Sequence, residues 1–190
     1  MIGESHVVNP DEDRLTLLLM AGPPGAGKST LALAVSRVLG WPILDKDTLK
    51  SSMLSAGVPE ETAGRASYDL MFDVGRDLLL HQRFSTILDS PAGYPVVIRR
   101  AEQVAQEAGA ELRFVLCTAA HSVREARLAE RISRPSQCTA DTAYHDDGSG
   151  TWIPLLPQNA LRVRAEGPVD VSVQRVVEFL RSSYSGEQED

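Results

Sequence analysis

Short unbroken apolar runs alternate along the chain with longer stretches whose apolar residues recur at helical spacing, and this predicts strands and helices in turn. Leu15 to Ala21 is apolar except for Thr16, with charge before it and glycine after, which suits a strand buried on both faces of a parallel sheet. Ser29 to Leu39 carries Leu31, Leu33, Ala34, Val35 and Val38 on a helical stripe that Gly40 stops. After Trp41-Pro42 comes a short strand, Ile43-Leu44, then a helix over Leu49 to Ser55 that Asp47 or Thr48 would cap. Gly57-Val58-Pro59 breaks the pattern, and an amphipathic helix runs from about Glu60 to His81 with Tyr68, Met71, Phe72, Leu78 and Leu79 as its stripe. Ser85 to Leu88 reads as a third strand ending at Asp89. A turn over Ser90 to Gly93 leads to a helix from Val96 to about Ala108. Leu112 to Cys117 is a fourth strand, followed by a helix over Ser122 to Ile132, a fifth strand at Leu161 to Val163 and a closing helix at Val171 to Leu180.

Strands alternating with helices imply an α/β fold, a parallel sheet with helices on both faces joined by right-handed crossovers. Pro135 to Asn159 is the least regular stretch and reads as a loop or lid. Residues 1–14 and 182–190 are polar and charged and read as flexible ends, leaving one domain over 15–181 with its lid at about 122–159. At 190 residues and 43% hydrophobic the chain can bury one sizeable core. A net charge of −7 disfavours long nucleic acid as a partner. Cys117 and Cys138 stand outside any disulfide or zinc spacing, and Cys117 reads as a small core residue. His81, His121 and His145 stand apart from one another and from the carboxylates, and read as surface or satisfied histidines. The longest apolar run is too short to cross a bilayer and too deep in the chain for a signal sequence, so a soluble cytoplasmic protein with no membrane partner is expected.

The strongest chemical signal is Gly22-Pro23-Pro24-Gly25-Ala26-Gly27-Lys28-Ser29-Thr30, which satisfies the phosphate-loop pattern Gly-x-x-x-x-Gly-Lys-Ser/Thr in the strand-to-helix setting the pattern needs. Gly22, Gly25 and Gly27 allow backbone N–H groups to curl round an anion, with Pro24 and Ala26 in the same turn. The helix that follows adds its positive dipole end. Lys28 would bridge the β- and γ-phosphates of ATP, the Ser29 hydroxyl would hold Mg²⁺, and Thr30 would bond the α-phosphate side or cap the helix. The loop alone does not separate a kinase from a nucleotide switch.

From this loop onward the chain resembles the small P-loop kinases of the AAA_33, zeta-toxin and polynucleotide-kinase-like group, related to shikimate, gluconate and nucleoside monophosphate kinases. The resemblance covers about Leu15 to Leu180. It implies a P-loop NTPase three-layer sandwich, a five-stranded parallel sheet in the order 2-3-1-4-5, and transfer of the ATP γ-phosphoryl to a hydroxyl. Three stretches carry it beyond the loop. Leu44-Asp45-Lys46-Asp47-Thr48-Leu49-Lys50 looks like the Asp-x-Asp-Thr-Phe-Lys segment of zeta toxins, in which the aspartate at the place of Asp47 accepts the proton of the attacking hydroxyl. Asp45 is the rival base, and Lys50 one turn on would hold an anionic group of the acceptor. Ser85 to Asp89 looks like a Walker B element whose aspartate binds Mg²⁺ through water or the acceptor, and both roles stay open for Asp89. Arg124, Arg127 and Arg131, with Arg134 beyond, lie where these kinases carry a lid; by similarity Arg127 would stack on adenine and Arg131 would reach the phosphates.

These readings point to an ATP- and Mg²⁺-dependent phosphotransferase acting on a small molecule such as an antibiotic, a sugar or a nucleoside. Lys28, Asp47 and Arg131 are its catalytic candidates, and Asp47, Lys50 and Asp89 its acceptor-binding ones. Arg65 and Arg76 on the helix after Glu60 are further candidates for an anionic acceptor. A polynucleotide 5′-hydroxyl kinase, a zeta-type toxin acting on a sugar nucleotide and an ATP-hydrolysing switch are the alternatives. A GTPase is disfavoured, since no Asn-Lys-x-Asp element is present.

Overall fold

The computed structural model describes residues 14–130, 135–136 and 156–182. The terminal segments expected to be flexible, apart from Arg14 and Ser182, and most of the expected lid after residue 130 lie outside the described residues. Five strands, β1 (Thr16–Ala21), β2 (Ile43–Asp45), β3 (Thr86–Asp89), β4 (Glu111–Thr118) and β5 (Leu161–Arg164), form one parallel sheet in the spatial order β2-β3-β1-β4-β5. The described helices are α1 (Lys28–Leu39), α2 (Lys46–Ser55), α3 (Glu60–Leu80), α4 (Pro95–Ala108), α5 (His121–Glu130) and α6 (Val169–Arg181).

The unbroken apolar run of β1 is explained by its place. Leu17, Leu19 and Ala21 point into one core with Met71, Phe72 and Leu79 of α3 and Val97, Ala101 and Val104 of α4. Leu18 and Met20 point into a second core with Leu31 and Val35 of α1 and Val173 and Val176 of α6. A strand with no wet face has no polar alternation to show. Leu17, Leu18, Leu19 and Met20 are fully buried, each contributing about 1.5–3 kcal/mol relative to exposure. A buried cation ties α6 to β4: Arg113 lies 2.6 Å from Glu111, over the Phe179 ring of α6 at 5.0 Å, and donates to the Ser182 carbonyl at 2.5 Å.

One element begins earlier than its apolar spacing predicts. α2 starts at Lys46 rather than Leu49, because the Asp45 carboxylate accepts from the Asp47 N–H at 2.8 Å and the Thr48 N–H at 3.3 Å. Asp45 is therefore the cap, and the expected caps Asp47 and Thr48 lie inside the first turn. Periodicity cannot see a first turn made of polar residues.

Candidate active site

β1, β2 and β3 end side by side in the sheet register: Met20, next to last in β1, pairs with Asp89, and Asp45 pairs with Asp89. A right-handed parallel sheet opens its crevice at these carboxyl ends, and a cavity of about 480 Å³ lies there. One wall is the loop of Pro24, Gly25, Gly27 and Lys28, the floor holds Ser29 and Asp89, and the opposite wall is Asp45, Lys46, Asp47 and Lys50 at the start of α2.

The loop's glycines are required by close backbone approach. At Gly22, φ is 141° and a Cβ would sit 2.3 Å from the Cys117 carbonyl oxygen of β4. At Gly25, φ is 76° and a Cβ would sit 2.7 Å from the Arg124 carbonyl oxygen, so α5 rests directly on the loop. The loop is braced by Ala26 N–H to the Pro23 carbonyl at 3.2 Å and by Gly22 N–H to the Pro91 carbonyl at 3.3 Å. Lys28 Nζ donates to the Pro23 carbonyl at 3.1 Å, which curls its ammonium over the loop.

Asp89 is 3% exposed and neither carboxylate oxygen has a hydrogen-bond partner. Burial raises its pKa above the ordinary carboxylate range; Lys28 and Ser29 work in the other direction, and Asp45 and Asp47 add to the rise. Ser29 is near enough to act on the carboxylate without closing a hydrogen bond of normal geometry. An orphaned buried carboxyl beside a helix-initial serine fits a hard divalent cation that takes its other ligands from phosphate and water. Among the described residues no cluster of three or more His, Cys, Asp or Glu could hold a metal by itself, which such a site does not require.

On the opposite wall Asp47 Oδ1 lies 2.8 Å from Lys46 Nζ, which also stands 5.4 Å from the centre of the Tyr68 ring of α3. Burial, then Tyr94 and Asp47, push the Tyr68 phenol above its ordinary range, so it stays neutral. Lys50 Nζ lies 3.2 Å from Glu60 at the start of α3. Ser136 donates to the Asp47 carbonyl at 2.7 Å.

α5 supplies the roof. Arg124 Nε donates to the Pro24 carbonyl at 3.0 Å, and Arg127 donates to the Gly25 carbonyl at 3.4 Å and the Ala165 carbonyl at 2.6 Å. Arg127 also borders a smaller cavity of about 180 Å³, reached past Gly27 and Thr30 and walled by Ala165 and Gly167.

The structure thus brings Lys28, Ser29, Asp47, Lys50, Asp89 and Arg127 of the sequence-predicted set to one cavity. Arg131, expected at the phosphates, and Arg134 lie outside the described residues, as do Cys138 and His145. Arg65 and Arg76 stand away from it, paired with Glu61 at 3.7 Å and Glu107 at 2.6 Å. Cys117 is buried in the core, where burial pushes its thiol up to about 12. His121 lies 3.7 Å from Glu125 on the exposed face of α5. Sequence reasoning did not single out Lys46 or Ser136. Lys46 was legible only as the residue between two aspartates, and Ser136 only through its distance in space to α2.

The AAA domain family model (AAA_33) matches residues 17–149 of this chain. Uncharacterized proteins of Mycobacterium tuberculosis and Mycobacterium bovis are 28% identical over 138 residues, covering 67% of this chain and 28% of theirs. The chain spans little more than a quarter of the length of those relatives. Among solved structures, a putative kinase from Chloroflexus aurantiacus superposes with a TM-score of 0.69 at 20% identity, over 88% of this chain and 97% of that one. The APS kinase of M. tuberculosis, bound to AMPPNP and APS, gives 0.62 at 22% over 89% and 99%. Shikimate kinase from Bacteroides thetaiotaomicron gives 0.59 at 18% over 88% and 99%. The fold is that of the small P-loop kinases, as the strand order also shows.

Proposed function

The chain belongs to the AAA_33 family of AAA domains, and from that premise we propose that it moves the γ-phosphoryl group of ATP to a hydroxyl of a small-molecule acceptor. The observation that carries this reading is that one cavity holds the phosphate loop on one wall and Asp47 with Lys50 on the other. A hydrolysing switch needs the first wall only.

The nucleotide phosphates lie in the loop between Gly22 and Thr30, with Lys28 following the β- and γ-oxygens. The smaller cavity beside Arg127 takes the adenine end. The Ser29 hydroxyl and the Asp89 carboxylate would hold Mg²⁺, which would supply positive charge to the nucleotide phosphates. Asp47 accepts the acceptor's hydroxyl proton as the oxygen forms its bond to phosphorus, while the bond from the γ-phosphorus to the bridging oxygen breaks and ADP leaves with the electron pair. Asp45 is engaged as the α2 cap, which favours Asp47 over it as the base. Arg131, four residues after Arg127 in the sequence, is the further cation proposed for the transferred group.

ATP consumption measured with and without a panel of hydroxyl compounds tests the reading. Stimulation by at least one compound is expected, and Asp47→Asn is expected to lower the stimulated rate about 10²–10⁴-fold. Turnover that no acceptor accelerates, or that survives Asp47→Asn, counts against it.

A further inference from the structure

Among the described residues that follow α5, Ser136 alone lines the main cavity, and it does so from the α2 wall. Its hydroxyl donates to the Asp47 carbonyl at 2.7 Å and stands 2.7 Å from the Ser51 hydroxyl, and its N–H donates to that same Ser51 hydroxyl at 3.4 Å. Because the Ser136 proton goes to the carbonyl, the bond between the two hydroxyls is donated by Ser51. Each hydroxyl then gives one hydrogen bond and takes one, in a chain that runs from the Ser136 amide to the Asp47 carbonyl.

Asp47 and Ser51 are four residues apart in α2. A serine inside a helix commonly turns its hydroxyl back to the carbonyl four residues before it, which for Ser51 is that of Asp47. Here the Ser136 hydroxyl stands between the two. Ser51 is 9% exposed and little open to water, yet it keeps a replacement partner within its own helix when Ser136 is withdrawn. Both arrangements satisfy the same buried groups, so the contact contributes little to folding stability. They differ in whether the turn of α2 that carries Asp47 is held by chain outside α2.

The two walls of the cavity are joined twice. Beneath it the sheet joins them, from β1 through β3 to β2, an edge strand of three residues. Above it the chain joins them: α5 sits on the phosphate loop through Arg124 on the Pro24 carbonyl and Arg127 on the Gly25 carbonyl, and Ser136, further along, meets α2. We propose that Ser136 is a positioning residue for phosphoryl transfer, which acts through Ser51 and the Asp47 carbonyl to hold the base-bearing turn of α2 against the nucleotide side. The inference rests on the phosphotransferase reading, since the role of Asp47 gives the contact its consequence. Reacting atoms must meet at about 3–3.5 Å, so a small displacement of that turn costs rate.

Ser136→Thr and Ser136→Val have nearly the same shape and differ in the hydroxyl. Mg²⁺ and AMP-PNP are expected to slow hydrogen exchange of the α2 amides in wild type and in Ser136→Thr, and to leave them unslowed in Ser136→Val. In the turnover assay with the hydroxyl compound that stimulates most, kcat is expected to fall about 3–10-fold in Ser136→Val, the scale of one hydrogen bond, and to recover in Ser136→Thr. The KM for ATP stays within about twofold in both, because the phosphate loop is untouched. All three proteins are expected to melt together, as Ser51 returns to the Asp47 carbonyl; if Ser136→Val fails to fold, Ser136→Ala reads the same loss. Equal kcat in the Thr and Val variants, or α2 amides slowed alike in both by the nucleotide, overturns the inference. A panel in which no compound stimulates turnover instead overturns the phosphotransferase reading, and the role of Ser136 in transfer with it.

Discussion

The Asp89 carboxyl is buried with both oxygens unpartnered, and burial raises its pKa, so the folded chain gives up this proton at higher pH than the unfolded chain does. The sign follows from linkage. Where the native state binds more protons, stability falls as pH rises, and this loss develops from the ordinary carboxylate pKa up to the raised value of Asp89. In nucleotide- and metal-free protein, Asp89→Asn is therefore expected to melt above wild type near neutral pH, each kcal/mol appearing as about 2–4 °C. The gap closes as pH is lowered towards the ordinary carboxylate range, and parallel melting curves across that range would sink the idea. The strand-end aspartate was visible in the sequence. Its burial and lack of partners were not, because they depend on β1 and β2 packing against β3 on both sides.

At the scale of elements, α2 is the piece that joins fold to chemistry. Asp45 ends β2 and caps α2, and the cap determines where in space Lys46, Asp47 and Lys50 stand. Asp45→Ala is expected to cost about 0.5–2 kcal/mol in urea unfolding, whereas Asp45→Asn keeps most of the cap. Equal losses in both variants would show that the charge and not the cap is what matters there. α5 depends in the same way on the loop beneath it. In Gly25→Ala the added methyl meets the Arg124 carbonyl oxygen at 2.7 Å in a backbone conformation alanine resists, so hydrogen exchange of the α5 amides should rise along with the loss of nucleotide affinity. Unchanged exchange in α5 would mean that the helix yields without unfolding. The sequence placed this helix within a turn of its observed start but showed nothing of its seat on the loop, since the contact is to backbone and leaves no apolar signature.

For the whole molecule, both helical layers rest on the central strand β1, whose side chains feed both cores, as do those of β3 and β4 beside it. Leu18→Ala is expected to cost about 2–5 kcal/mol by leaving a cavity between the sheet and α1, read as a shift of the denaturation midpoint. A cost under about 1 kcal/mol would mean that this layer collapses to fill the space. The amino-acid sequence by itself determined the α/β alternation, the phosphate loop and the two aspartates that end β2 and β3, because periodicity, glycine spacing and strand-end carboxylates are local patterns. Tertiary structure alone decided that Asp45 caps while Asp47 faces the cavity, and that Arg65 and Arg76 lie on the far surface. It also decided that Lys46 joins Lys50 opposite the phosphate loop. Those assignments depend on which residues of separate elements meet and on how much water remains around their charges, and a local pattern encodes neither.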